Sequence, residues 1–210
     1  MKAIILINNN KNLKENVQHS VYEIEKIKEI DKVYFLCNDS TFNIATILSQ
    51  DIKSTNPIIV SKLNIKELIN TEKINEEILI ISSNIYFIFN IYKFYRYFEN
   101  VKNTLCVIKW YDEDTKEYKN ILKHPIIDFY ANGEVCYIKN NPKEENLKFN
   151  SRKINCALYD MCFINKNDIY YINEFVTQNK NFIVSEFLEY IYKKEKVKVY
   201  CAANGTIYKN

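Results

Sequence analysis

Through its first hundred residues the chain alternates short apolar, β-branched runs with segments whose apolar residues recur at helical spacing. The runs "KAIILI", "KVYFLC", "NPIIV" and "EILIIS" have the length and composition of buried strands. Between them lies "LKENVQHSVYEIEKIKEI", in which Val17, Val21, Ile24, Ile27 and Ile30 line one helical face. Helices are also predicted around "TFNIATILSQ", "NIKELINTEKI" and "IYKFYRYFENV". Strand–helix–strand units of this kind pack as a mainly parallel sheet with helices on both faces.

Past residue 103 the pattern changes. "TLCVIKW", "PIIDFY", "EVCYIK" and "NCALYDMCFI" read as strands joined by loops and hairpins, with "NGE" as a turn signal. A late helix, "VSEFLEYIYKK", precedes a last strand, "VKVYCAA". The sheet is therefore expected to be parallel at its start and mixed at its far side. No linker, internal repeat or low-complexity tail divides the chain, so one domain is expected over residues 1–210.

Charge is nearly balanced, with 29 basic against 26 acidic residues, which gives no electrostatic reason to expect nucleic acid or an anionic membrane as partner. The longest apolar stretch, "ILIISSNIYFIFNIY", is broken by polar residues and is shorter than the roughly 20 residues of a membrane span. The opening apolar run is too short for a secretory signal, and a cytoplasmic location is expected. Cys37, Cys106, Cys136, Cys156, Cys162 and Cys201 form no CxxC pair, and most sit in apolar runs. They are expected to be buried reduced thiols rather than zinc ligands. Lysine, asparagine, isoleucine and tyrosine are abundant while Arg96 and Arg152 are the two arginines, the composition of an AT-rich coding sequence.

Several short words give this order of segments a resemblance. "MKAIIL" resembles the first strand of the sugar-phosphate nucleotidyltransferases, which join a nucleoside triphosphate to a sugar 1-phosphate and release pyrophosphate. The resemblance covers nearly the whole chain. It implies an α/β fold, a Rossmann-like three-layer sandwich with a mixed, mainly parallel central sheet of the nucleotide-diphospho-sugar transferase type. In that family the first strand leads into a Gly-x-Gly-Thr-Arg loop; here "INNNKNLKE" takes its place, with Asn8 and Asn9 at its start. The glycines fall at about Asn9 and Lys11 and the arginine near Leu13. A Pro-Lys-Pro segment is missing. Glycines in such a loop let backbone N–H groups approach phosphate, and the arginine offsets charge on the transferred phosphoryl group.

The family's Gly-Asp, whose aspartate holds Mg²⁺, corresponds to Ser83 and Asn84 in "ILIISSNIYF". "NGEVCYIKNNP" keeps Gly133, Val135 and Pro142 of a sugar-phosphate motif, with Ile138 at its aromatic position and Asn140 and Asn141 in place of a Glu-Lys pair. "NCALY" keeps Asn155 and Tyr159, with Ala157 replacing glycine. "ANGTIYKN" keeps Gly205 and puts Lys209 at about the second metal-ligating acid. Positions that hold the fold are retained, while those that hold charge against substrate and metal are replaced. The resemblance thus implies a degenerate member, catalytically impaired, with Asn8, Asn9, Ser83, Asn84, Asn140, Asn141 and Asn155 at the substrate-binding positions and no metal site. Its implied partners are a nucleotide or sugar nucleotide, or an active relative in a homo- or hetero-oligomer. The alternative is a divergent active enzyme of polysaccharide biosynthesis that uses Mg²⁺ through Asp39, Asp112 or Asp160. A third reading is an interaction module whose former pocket is filled by Asn8 to Lys14.

Other constellations have simpler readings. His19 and His124 lack a nearby nucleophile pattern and read as surface or structural residues. Asp112, Glu113 and Asp114 read as a solvated hairpin. In "IYFIFNIYKFYRYFENV", Phe89, Tyr92 and Tyr95/Arg96 share a side expected to pack in the core or at a subunit interface.

Overall fold

The computed structural model describes residues 1–112, 118–146, 154–179, 181–202 and 207–209. Strands β1 (Lys2–Leu6), β2 (Lys32–Leu36), β3 (Ile58–Ser61) and β4 (Ile78–Ser82) come from the four apolar runs. Helices α1 (Leu13–Ile24), α2 (Phe42–Asp51) and α3 (Ile65–Thr71) connect them. A short β5 (Ile85–Phe87) precedes α4 (Ile91–Val101), and β6 (Thr104–Asp112), β7 (Ile126–Phe129), β8 (Val135–Lys139) and β9 (Ile154–Ile164) follow. The chain continues through α5 (Ile169–Gln178), α6 (Val184–Ile191), β10 (Val197–Cys201) and β11 (Ile207–Lys209).

The main sheet runs β10-β6-β9-β4-β1-β2-β3, with β7 and β8 attached beside β9. β1 pairs in parallel with both β2 and β4, β2 with β3, and β6 with β10. β9 is antiparallel to β4 and to β6. The parallel strands are apolar on both sides because helices cover both faces. One core layer joins Ile5, Leu79 and Phe163 to Val17, Ala45 and Phe94 of α1, α2 and α4. The other joins Ile4, Ile80 and Cys162 to Leu68, Ile172 and Leu188 of α3, α5 and α6. This is the mixed, mainly parallel α/β sandwich expected from the sequence.

Three details differ from the sequence reading. α1 ends at Ile24, yet Ile27 and Ile30 stay in the core. Successive turns, Ile27 N–H to Ile24 O and Ile30 N–H to Ile27 O, preserve the three-residue spacing beyond the helix. The aromatic helix is phased differently: Asn90 caps it by accepting from Lys93 N–H at 3.0 Å, and Ile91, Phe94, Tyr95 and Phe98 face inward. Tyr92 is left exposed, and Arg96 pairs with Glu99 at 2.6 Å. Finally, α5, β5 and β11 were not foreseen, since each is short or carries polar residues among its apolar ones.

Cys37, Cys106, Cys156 and Cys162 are buried, and no disulfide joins any of the six cysteines. Burial pushes Cys106 and Cys156 up to about 12. Alkylation at mildly alkaline pH should accordingly label half-exposed Cys136 and Cys201 first, read by peptide mass, and reach the buried thiols only on unfolding. Phe163 is fully buried, 4.7 Å from both the Phe94 and Phe98 rings. Phe163→Ala should cost about 3–5 kcal/mol in denaturant unfolding.

Candidate functional site

The C-terminal ends of β1 and β4 lie side by side, Leu6 opposite Ser82, and the loops leaving them are stitched together by amides. Ser83 N–H donates to Leu6 O (2.9 Å), prolonging the ladder by one bond. Asn8 N–H donates to Ser83 Oγ at 2.8 Å. Asn10 Nδ2 reaches Asn8 O (3.2 Å), Ser83 O (3.0 Å) and Asn84 Oδ1 (3.2 Å). Its Oδ1 accepts from Asn12 N–H (3.1 Å), shaping the entry to α1. From within that helix, buried Asn16 adds a 2.8 Å bond from Nδ2 to Ser83 O. Ser82 Oγ accepts from Asn84 N–H and Asn8 Nδ2, both at 3.3 Å.

The predicted site residues divide into three places. Asn8, Asn9, Ser83 and Asn84 come together here, with Asn9 exposed and Ser83 fully buried. Asn155 lies on β9 opposite Tyr111 of β6. Asn140 follows β8, where its Nδ2 donates to Ser185 O and to Glu189 Oε2 of α6; Asn141 adopts a left-handed backbone, φ 49°. Asn10 and Asn16, which both donate to Ser83 O, were missed. Their signal was weak: one more asparagine in an asparagine run, and a polar residue beside Val17 on a helix.

The two positions that the resemblance gives to metal ligands converge in the backbone. β11 pairs antiparallel with β5, placing Lys209 opposite Ile85, the residue after Asn84. Gly205, Glu113 and Asp114 lie outside the described residues. Of the three carboxylates considered as replacement ligands, Asp39 is exposed on the loop after β2 and pairs with Lys62 at 2.8 Å, which holds it below the usual carboxylate range. Asp112 ends β6, and its side chain lies outside the described residues. Asp160 has the most pertinent place. Its neighbour Met161 pairs with Ile81, whereas Ala157 and Cys156 pair with Ile126 and Ile127 of β7. β4 and β7 thus flank the same side of β9 in succession, and Tyr159 and Asp160 fall in the gap between them.

That gap holds a cluster the sequence did not advertise. The Tyr111 and Tyr159 hydroxyls are 2.9 Å apart, both residues are buried, and the ring of buried His124 is 4.8 Å from that of Tyr159. Leu158 N–H donates to Pro125 O, fixing the "HP" turn against β9. His19 lies elsewhere, stacked on Tyr86 at 4.5 Å with Nε2 bonded to Phe87 O.

These donors do not fit a magnesium ion. Mg²⁺ demands hard, preferably anionic oxygen in octahedral array. The turn after β4 offers instead two hydroxyls and an amide oxygen already bonded to Asn8, Asn10 and Asn84 groups. Among the described residues no group of three His, Cys, Asp or Glu side chains converges to hold a metal. Lys14, near the position that the resemblance gives to the loop arginine, pairs with Asp51 of α2 at 3.2 Å.

No family model and no curated protein sequence matches the chain. Solved structures do. A protein described as a glucose-1-phosphate thymidylyltransferase from Bacillus anthracis, crystallised with sucrose, superposes with a TM-score of 0.71 at 14% identity. That match covers 100% of this chain and 89% of the other. HddC from Yersinia pseudotuberculosis gives 0.65 at 11% identity over 99% of this chain and 92% of its own. Its complex with GMP-PN gives 0.64 at 9% identity over the same shares. The fold resembles that of nucleotide-sugar nucleotidyltransferases along nearly the whole chain. Among the described residues no helix is long and apolar enough to cross a membrane.

The network makes Asn10 the residue to remove. Asn10→Ala should cost about 1–3 kcal/mol in denaturant unfolding. Hydrogen exchange at the Asn8 and Asn12 amides should accelerate while that of β1 holds.

Proposed function

We propose that this protein is a catalytically impaired relative of the sugar-phosphate nucleotidyltransferases that recognises a nucleotide sugar without making one. The observation that carries this reading is the amide network between the loop after β1 and the turn after β4. In the loop that stands where the family has its phosphate-binding glycines, and at the turn that stands where it has a metal-binding aspartate, this chain has asparagine and serine groups hydrogen-bonded to one another. The Asn8 and Asn12 N–H groups are already engaged, by Ser83 Oγ and Asn10 Oδ1. A triphosphate entering here meets spent donors and no fixed cation from Lys14. Neutral amides and hydroxyls suit the hydroxyls of a sugar and the edge of a base better than they suit a charged phosphoryl group in transfer. The fold neighbours' complexes with sucrose and with GMP-PN support sugar and nucleotide as the ligand classes. Asn8, Asn9, Ser83, Asn84, Asn140, Asn141 and Asn155 are the proposed contact positions, and pairing with an active relative is the proposed setting in which binding would regulate synthesis.

One observation favours a second reading, an active transferase of polysaccharide biosynthesis: Asp160 sits beside the end of β4, where a carboxylate has a use. The two separate cleanly. Calorimetry with nucleotide sugars and nucleoside triphosphates, with Mg²⁺ and then with chelator, should show nucleotide-sugar binding indifferent to the metal. Pyrophosphate release from a triphosphate and a sugar 1-phosphate should stay at the no-protein level. Release that depends on the protein and disappears in Asp160→Asn would establish the second reading instead.

A further inference from the structure

We propose that β3 is the contact strand of a two-fold dimer, in which a second copy of this chain pairs antiparallel with it and joins the two sheets. The run of strands from β10 to β3 has two ends, and they are finished differently. At β10 the outer side is partly closed: Val199 N–H donates to Gly133 O at 3.0 Å, and Glu134 bridges to Lys198. At β3 nothing comparable is found among the described residues. Val33 N–H binds Pro57 O and Cys37 N–H binds Ser61 O, both at 3.0 Å, which sets the phase of the parallel ladder with β2. In such a ladder alternate residues bond to a given neighbour, so Ile59 and Ser61 face β2 while the N–H and C=O groups of Ile58 and Val60 face outward. All four side chains of the strand are half-buried, which makes this an apolar edge with unpaired backbone groups, a template for another strand.

Its proportions fit a copy of itself. Pro57 before the strand and Lys62 after it blunt both ends, leaving the four residues Ile58–Ser61 between them. An antiparallel pair about an axis through Ile59 sets Ile58 opposite Val60 of the second copy and Val60 opposite Ile58. Both are then closely bonded pairs, four hydrogen bonds in all, and the contact closes on itself without leaving a new edge. The same register sets Lys62 opposite Asn56 of the other copy. The Glu25 carboxylate lies at that turn and accepts from Thr55 N–H and Oγ1. Lys62 is half-exposed over the Phe42 ring and paired with a highly exposed Asp39. The register thus brings Lys62 towards the Glu25 carboxylate of the other copy twice across the axis.

Sedimentation velocity over a concentration series tests this with the full chain. The wild type should pass from monomer to dimer as concentration rises, more weakly at high salt. Val60→Pro removes an outward N–H and no bond to β2. It should leave the circular dichroism unchanged and raise the dimer dissociation constant at least about tenfold. If that variant fails to fold, Lys62→Glu provides the reading and should weaken the dimer several-fold. A wild type monomeric at every soluble concentration overturns the proposal. So does a dimer whose dissociation constant is unmoved by Val60→Pro, or by Lys62→Glu where that variant provides the reading.

Discussion

The antiparallel strand β9, held between two strands that run parallel to each other, is the constraint on which the rest of the architecture depends. Its second half bonds to β4 on one side and β6 on the other; its first half keeps β6 and exchanges β4 for β7. The exchange requires an irregularity, and the register of β6 shifts between Cys106 and Ile108. Bulges of this kind re-aim side chains and are common beside functional sites. Here the interruption lies next to Tyr159 and Asp160. The parallel half of the sheet brings the ends of β1 and β4 to one edge, and β9 decides what faces them.

At that edge the loop after β1 and the turn after β4 are held together by amide hydrogen bonds. A glycine-rich loop works by keeping backbone N–H groups vacant until an anion arrives, so it is locally unstable without its ligand. The asparagine loop inverts this. The Asn10 amide donates and accepts at once, tying Asn8, Ser83, Asn84 and Asn12 together. A partly buried hydrogen-bond network of this kind rigidifies the segment that contains it. Stability here and readiness for phosphate oppose each other, and on the proposed reading the chain lies on the side of stability.

The sheet and most helices were legible in the sequence because burial on both faces writes itself as runs such as "KAIILI" and "ILIIS". The site was legible only as a set of substitutions. Asn8, Asn9, Ser83 and Asn84 stood out by position in a resemblance, but Asn10 and Asn16 had no positional reason to be chosen over other asparagines. Their role follows from the approach of α1 to the β4–β5 turn, a tertiary fact without periodicity. His124 was similarly opaque, because a histidine before a proline carries no sign that β9 will fold Tyr159 against it. The phase of α4 was set by the Asn90 cap rather than by its aromatic spacing.

The pairing of β11 with β5 has a bearing on biogenesis. Lys209 and Ile85 are neighbours in space but stand more than half the chain's length apart in sequence. A ribosome that has just finished α4 has already made the turn around Asn84, yet the strand that flanks it has not been made. Contacts of such long range form late and slowly. The parallel sheet's early strands can begin to assemble during synthesis, while the site's immediate surroundings wait for nearly all of the polypeptide.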